Sequence, residues 1–366
     1  MKIVIDATNL KAGGGLTHLK QISKRLNKIP ELEVHIIGGD WINSLENDNR
    51  HIYKEYFNSV FKQEYFKRFK LPTLVKEYDL VFAPGGSFYS KKVKYVTMCR
   101  NMLIFESKER SRFPLSLTWI RYVLLEKMQL KSYMAAEGII YISNYAKSYV
   151  ESKYPALKSK KSVVIYHGIS DDFRQIPKEQ IEIERYTRQN PLRISYISIV
   201  NFYKHQWNVV EAVKKLRQEG YFIHLELIGP MYKGAKKLFY NSIQGTEEFV
   251  SYKGKVPYEE IMYSYKNSDV FVFASTCENM PNILVEAMSA GLPILCSNYG
   301  PMPEILKDGG VYMDPTNVDN IYKELKIFLL NKNLRQEKSK KAYEYSKAFS
   351  WTRTVEQTIE FIKQVV

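Results

Sequence analysis

The chain has 366 residues, 45% hydrophobic and 25% charged, the balance of a globular protein with room for two cores. No apolar run approaches the ~20 residues needed to span a bilayer. Three cysteines without a CxxC pair and six scattered histidines argue against a disulfide framework and a zinc site. The formal charge is +15, of which +13 falls within residues 1–165; such asymmetry points one half of the chain toward a polyanion or an anionic membrane surface.

Met1 to Asp6 reads as a β-strand. The acid at position 6 comes too early for the apolar region of a signal peptide, so this is expected to be the first strand of a mature cytosolic domain. The chain then reaches Gly13-Gly14-Gly15, after which Leu16, Leu19, Ile22 and Leu26 recur at helical spacing. Strand, glycine loop and helix form the opening of a doubly wound α/β domain. The glycines would let backbone approach a ligand, with helix N–H groups facing it. The loop is neither GxGxxG nor a Walker A motif, and by itself a plain turn explains it equally well.

Further strands are expected at 33–37, 80–83, 94–98 and 138–142, with a helix over 115–135. Lys108–Arg112 and Trp119–Leu125 mix basic residues with large apolar ones. That composition suits a helix lying in a membrane interface, while a core-packed helix with a basic outer face is the simpler expectation. Residues 166–191, with His167-Gly168, Asp171-Asp172 and Pro177, read as a boundary. The alternation then restarts, with strands expected at 193–200, 222–228, 248–252, 270–273 and 293–296. Helices are expected at 206–219, 258–266, 281–290 and 317–330, and a last one from Ser350 to Val366. This is a second parallel α/β domain, and ligands commonly bind between two such domains.

Within it, Glu278 follows the apolar run Asp269 to Ala274, and Glu286 lies eight positions later in a helix that should end at Gly291. Glu278 is therefore expected in the loop at the carboxyl end of a strand, where open α/β sheets bind ligands. Free N–H groups near Asn282 would favour an anion there. Taken alone, the stretch reads as a surface loop and an amphipathic helix with two solvated glutamates.

The wider constellation resembles the retaining glycosyltransferases of family 4. It consists of Glu278-x7-Glu286, Ala290-Gly291-Leu292-Pro293, Gly300-x2-Pro303-Glu304, Gly309-Gly310-Val311-Tyr312, Val163 to Gly168, and Tyr203-Lys204-His205. The resemblance implies a GT-B fold: two doubly wound α/β domains facing across a cleft, here 1–165 and 166–348, with 349–366 crossing back to the first. Bacterial enzymes of surface-polysaccharide synthesis are the nearest looser match.

By that resemblance Glu278 lies beside the donor sugar and its developing positive charge. Glu286 binds the ribose hydroxyls, and a carboxylate can accept from both. Backbone N–H groups around Met280, Pro281 and Asn282 hold sugar or diphosphate, Lys204 holds the diphosphate, and Gly14 and Gly15 approach it. Two departures stand out. The family's arginine position falls on Ile199, and its N-terminal histidine is replaced in Cys99-Arg100-Asn101-Met102. Arg100 could pair with phosphate but could not accept a proton at neutral pH, so no general base is assigned.

The reaction so implied moves a sugar from GDP-mannose, a UDP-hexose or a UDP-N-acetylhexosamine to a glycan or polyprenyl-diphosphate-linked glycan, with retention and without a metal or other cofactor. The expected place is the cytoplasm, peripherally on the inner face of the plasma membrane. A nucleotide-sugar epimerase of the same fold is the alternative. A nucleic-acid-binding protein would account for the charge, but no recognition motif supports it, so no nucleic-acid partner is expected.

Overall fold

The computed structural model describes all residues except 11–13, 27–28, 40–41, 43–49, 53–61, 63–64, 91, 114–115 and 366. Gly13 of the glycine loop thus lies outside the described residues. The chain forms two compact units: Met1–Phe105, Leu115–Gly168 and Ser350–Val366 make the first, and Glu106–Pro114 with Ile169–Phe349 make the second.

In the first unit, β1 (Lys2–Asp6), β2 (Glu33–Gly38), β3 (Arg50–Ile52), β4 (Leu80–Ala83), β5 (Tyr95–Cys99), β6 (Gly138–Tyr141) and β7 (Ser162–Val164) form one sheet in the order 3-2-1-4-5-6-7. The pairings are parallel, with Ile5 opposite both Ile36 and Phe82. Such strands carry near-continuous apolar runs because both faces are covered, and Ile3, Val4 and Ile5 are at most 2% exposed. The order reverses between β1 and β4. At that switch point an open α/β sheet leaves a crevice at its strand ends, and Arg100 directly follows β5. The last helix, Trp351–Val365, packs against the Gly14–Leu26 helix. It also covers β6 closely: a Cβ on Gly138 would come within 2.8 Å of the Phe361 ring.

The second unit repeats the plan with β8 (Leu192–Ile197), β9 (Ile223–Ile228), β10 (Val250–Tyr252), β11 (Val270–Phe273), β12 (Ile294–Ser297) and β13 (Val311–Met313), in the order 10-9-8-11-12-13. Its reversal lies between β8 and β11. Lys204 lies beyond the carboxyl end of β8 and Glu278 beyond that of β11. The Asn282–Ser289 helix ends as expected: Gly291 adopts φ +65°, a conformation glycine takes without penalty.

Several expectations shift. The helix expected from Leu16 begins at Gly14, so Gly14 and Gly15 belong to its first turn. The strand expected to reach Val200 stops at Ile197, because Asn201 accepts the Phe202 N–H at 2.8 Å and turns the chain into a 3-10 turn at Phe202–Lys204. The segment Glu106–Pro114, expected within the N-terminal domain, belongs to the second unit. The Leu117–Ala135 helix buries Glu126, Gln129, Ser132 and Tyr133, so its inner face is not the apolar one expected.

Candidate active site

Lys204 and Glu278 form an ion pair where the second sheet reverses. Their side chains are only 5% and 15% exposed. Burying a charge is costly unless it is paired and hydrogen-bonded, and here each partner has further support. Ser275 Oγ donates to Glu278 Oε1 at 2.6 Å. The Lys204 ammonium lies 4.9 Å from the Phe273 ring centroid and 5.3 Å from that of Tyr203, within range for cation–π attraction. Tyr196 donates to the Lys204 carbonyl at 2.5 Å. A cation and a carboxylate are thus held with little freedom at the ends of adjacent strands.

A second layer fixes the loops that carry this pair. Glu109, 3% exposed, accepts two bonds from the Arg112 guanidinium at 2.7 and 3.2 Å and one from Thr276 Oγ1 at 2.5 Å. The Thr276 N–H donates to the Tyr203 carbonyl at 2.8 Å. His205 Nε2 stands 3.3 Å from Thr276 Oγ1. With the threonine proton directed to Glu109, that imidazole nitrogen is the donor, so His205 carries its proton on Nε2. Burial, helped by the nearby Arg112 cation, pushes the His205 pKa down to about 4, so the ring is neutral at pH 7. His205 also adopts φ 49°, ψ 32° at the start of the Gln206–Gln218 helix, a left-handed conformation uncommon for a residue with a Cβ. None of Glu109, Arg112, Thr276 and His205 was singled out from sequence for this role. Lys108–Arg112 drew notice only as a basic segment beside large apolar residues, and no spacing pointed to its partner at Thr276.

Glu286 sits on the Asn282–Ser289 helix, where Tyr265 donates to its Oε2 at 3.0 Å. Burial raises its pKa to about 7, against the lowering effect of the Tyr265 bond. Met280 and Pro281 precede the helix, and Pro281 supplies no side-chain cap. The Pro281 carbonyl accepts from the Leu284 and Val285 N–H groups at 3.0 and 3.4 Å, which leaves those of Asn282 and Ile283 without an acceptor inside the helix. Asn282 Oδ1 is buried there without a hydrogen-bond partner. Polar groups of this kind are what an anionic or hydroxylated ligand would satisfy. A cavity of about 240 Å³ bounded by Arg193, His224, Glu226 and Lys253 includes none of these residues.

The remaining candidates, Gly14, Gly15 and Arg100, lie in the first unit. A Cβ on Gly15 would come 3.5 Å from Arg100 Nη1, so the guanidinium lies over the first turn of the Gly14–Leu26 helix. Arg100 Nη1 is 3.4 Å from His18 Nδ1. Burial lowers the arginine pKa to about 10, which leaves it cationic at neutral pH. The His18 ring stacks on His167 at 4.5 Å, and His167 on Trp351 at 5.8 Å. His18 is fully buried, and burial holds its pKa well below the usual range. Ile199, at the position of the family's arginine, is 36% exposed and contributes no charge.

Residues 178–345 match the family model described as glycosyl transferases group 1, and residues 12–173 match that of glycosyltransferase family 4. The chain belongs to the family 4 glycosyltransferases. This glycosyltransferase is 28% identical over 253 residues to O-antigen chain mannosyltransferase B of Escherichia coli, an alignment covering 67% of this chain and 64% of that protein. It is 26% identical over 222 residues to Protein CapJ of Staphylococcus aureus, covering 58% and 51%. The aligned stretches thus span less than two thirds of either relative. Among solved structures, Anabaena HepE in complex with UDP superimposes with a TM-score of 0.73 at 19% identity, over 100% of both chains. WaaG, a glycosyltransferase involved in lipopolysaccharide biosynthesis, does so with 0.72 at 14%, over 98% of this chain and 99% of that one. Their likeness establishes the GT-B fold for this glycosyltransferase. The matched families are transferases, which leaves the epimerase alternative without support.

Proposed function

We propose that this glycosyltransferase moves a sugar from a nucleoside diphosphate sugar to an acceptor hydroxyl with retention of anomeric configuration and without a metal. The buried Lys204–Glu278 pair at the sheet reversal carries the reading. Breaking the anomeric C–O bond leaves positive charge on the sugar ring and negative charge on the diphosphate. Preorganised groups of opposite sign placed at each centre stabilise such a transition state. Glu278 serves the sugar, while Lys204 exchanges its carboxylate partner for phosphate oxygens. The N–H groups of Met280 and Asn282 reinforce it, Pro281 having no N–H to give. Glu286 receives the ribose hydroxyls. In the first unit, Arg100 and the helix start at Gly14 and Gly15 offer a cation and N–H groups to phosphate. The acceptor oxygen takes the anomeric carbon, and a nucleoside diphosphate and a proton are released.

The donor in this reading is GDP-mannose, a UDP-hexose or a UDP-N-acetylhexosamine. The acceptor is a glycan, free or carried on a polyprenyl diphosphate, in surface-polysaccharide synthesis at the cytoplasmic side of the membrane. Support comes from the O-antigen and lipopolysaccharide roles named for two relatives and from the UDP held by a third. A thermal-shift screen against GDP, UDP and their sugars tests it. Stabilisation follows RT ln(1 + [L]/Kd), so one base should raise the melting temperature and the other should not. No shift with any nucleotide would overturn the reading.

A further inference from the structure

The Leu117–Ala135 helix is built inside out. Its buried residues are polar and fully engaged by the first unit. Ser132 Oγ accepts from the Phe88 N–H at 3.2 Å, Tyr95 donates to the Ser132 carbonyl at 2.6 Å, and Tyr133 donates to Gln129 Oε1 at 2.8 Å. Glu126 binds Lys153 at 2.5 Å and Tyr154 at 2.6 Å. Outward, Leu117 is 86% exposed, Ile120 49%, Leu124 55% and Met128 44%. Their spacing of three and four places them on one stripe. The stripe is flanked by exposed Arg121, Lys127 and Lys131, and Lys131 lies 4.1 Å above the ring of Tyr89, itself 40% exposed. The helix has one acid, Glu126, and it is buried. The outer face therefore presents apolar side chains and cations with no carboxylate among them.

A contiguous exposed apolar stripe of this kind is unusual in a soluble monomer and marks an interaction surface. Self-association through the stripe would bring the same cations against each other, which is unfavourable. An anionic bilayer satisfies both features, with apolar side chains at the acyl boundary and lysines and arginine at the phosphates. No helix among the described residues is long and apolar enough to cross a membrane, so this one would lie on the surface. We propose that the outer face of the Leu117–Ala135 helix docks the first unit on an anionic phospholipid bilayer. The proposal stands on this helix alone and not on the transfer reaction.

The test is cosedimentation of the full chain with phosphatidylglycerol-containing vesicles, with purely zwitterionic vesicles alongside and no nucleotide present. Binding is expected only to the anionic vesicles and should weaken with salt. Ile120→Glu/Leu124→Glu should abolish it. Arg121→Gln/Lys127→Gln/Lys131→Gln should weaken it roughly five-fold per cation removed. Both variants alter outward positions, so their melting temperatures should match the parent's. Binding that survives both variants overturns the proposal, as does absence of binding at low salt. A wild-type dimer that the glutamate variant splits, with no vesicle binding, would make the stripe an interface between copies and also overturn it. The nucleotide thermal shift is a separate readout, so a failed transfer reading and a failed docking reading can be told apart.

Discussion

Glu109 and Thr276 stand 167 positions apart and share a hydrogen bond of 2.5 Å. Through it, a short segment from the first half of the chain sets the loop between β11 and Glu278. The same threonine meets His205 and the Tyr203 carbonyl, so one hydroxyl ties together both loops that present the Lys204–Glu278 pair. Removing either end should therefore disturb the same thing. Glu109→Ala and Thr276→Val should each cost about 1–3 kcal/mol of stability. Their double variant should cost little more than the worse single one, because groups in one network are not additive. Chemical denaturation of the four proteins checks this; additive losses would mean that the two act separately.

The buried pair makes a sharper prediction about stability. Lys204→Met or Glu278→Leu leaves one buried charge without its partner, at about 3–5 kcal/mol. Replacing both by apolar residues removes that penalty. The double variant should thus be closer to the parent in denaturation midpoint than either single variant, although it should be inactive.

Acid should act through His205. Its folded pKa of about 4 lies below the unfolded value near 6.5. The unfolded chain therefore takes up a proton first as pH falls. The stability this residue contributes is complete above pH 6.5 and is lost progressively toward pH 4, at up to about 3 kcal/mol. His205→Asn keeps a residue tolerant of the left-handed backbone and removes the titrating ring, so the parent-minus-variant stability difference should fall as pH drops through that window. A difference independent of pH would contradict the assignment.

Glu286 should govern donor binding in the opposite sense. Its carboxyl is raised to about 7, so it ionises as pH rises from 6 to 8. An ionised carboxylate accepts from both hydroxyls of a diol, whereas the acid form retains a proton. Donor KM should fall across that range, and Glu286→Gln should remove the dependence. A parent profile as flat as the variant's would argue for another role.

Much of the fold was legible because its signals are local. Buried parallel strands such as Val270–Phe273 announce themselves as short apolar runs, and Gly291 marks a helix end. Elements whose packing is polar or brief left no such mark. The Lys332–Ser346 helix buries Arg335, Ser339, Ala342 and Ser346, so it shows no apolar period, and β3, β7 and β13 have three residues each. Sequence motifs singled out Lys204 and Glu278, which the fold brings into contact. The support around them depends on pairings between Glu109 and Thr276, or between Tyr265 and Glu286, that no spacing encodes. The exposed stripe of the Leu117–Ala135 helix was one of two readings its composition allowed: the apolar residues suit a core face as well as a membrane interface, and only the bonded polar side reveals which way the helix turns.

The most direct measurement is single-turnover sugar transfer by Glu278→Ala and Lys204→Ala, using whichever nucleotide sugar stabilises the parent protein. If these two residues stabilise the opposite charges of one transition state, each variant should lose about 100-fold or more in rate. Near-parental rates in both variants, with the correct donor bound, would contradict the assignment of the site.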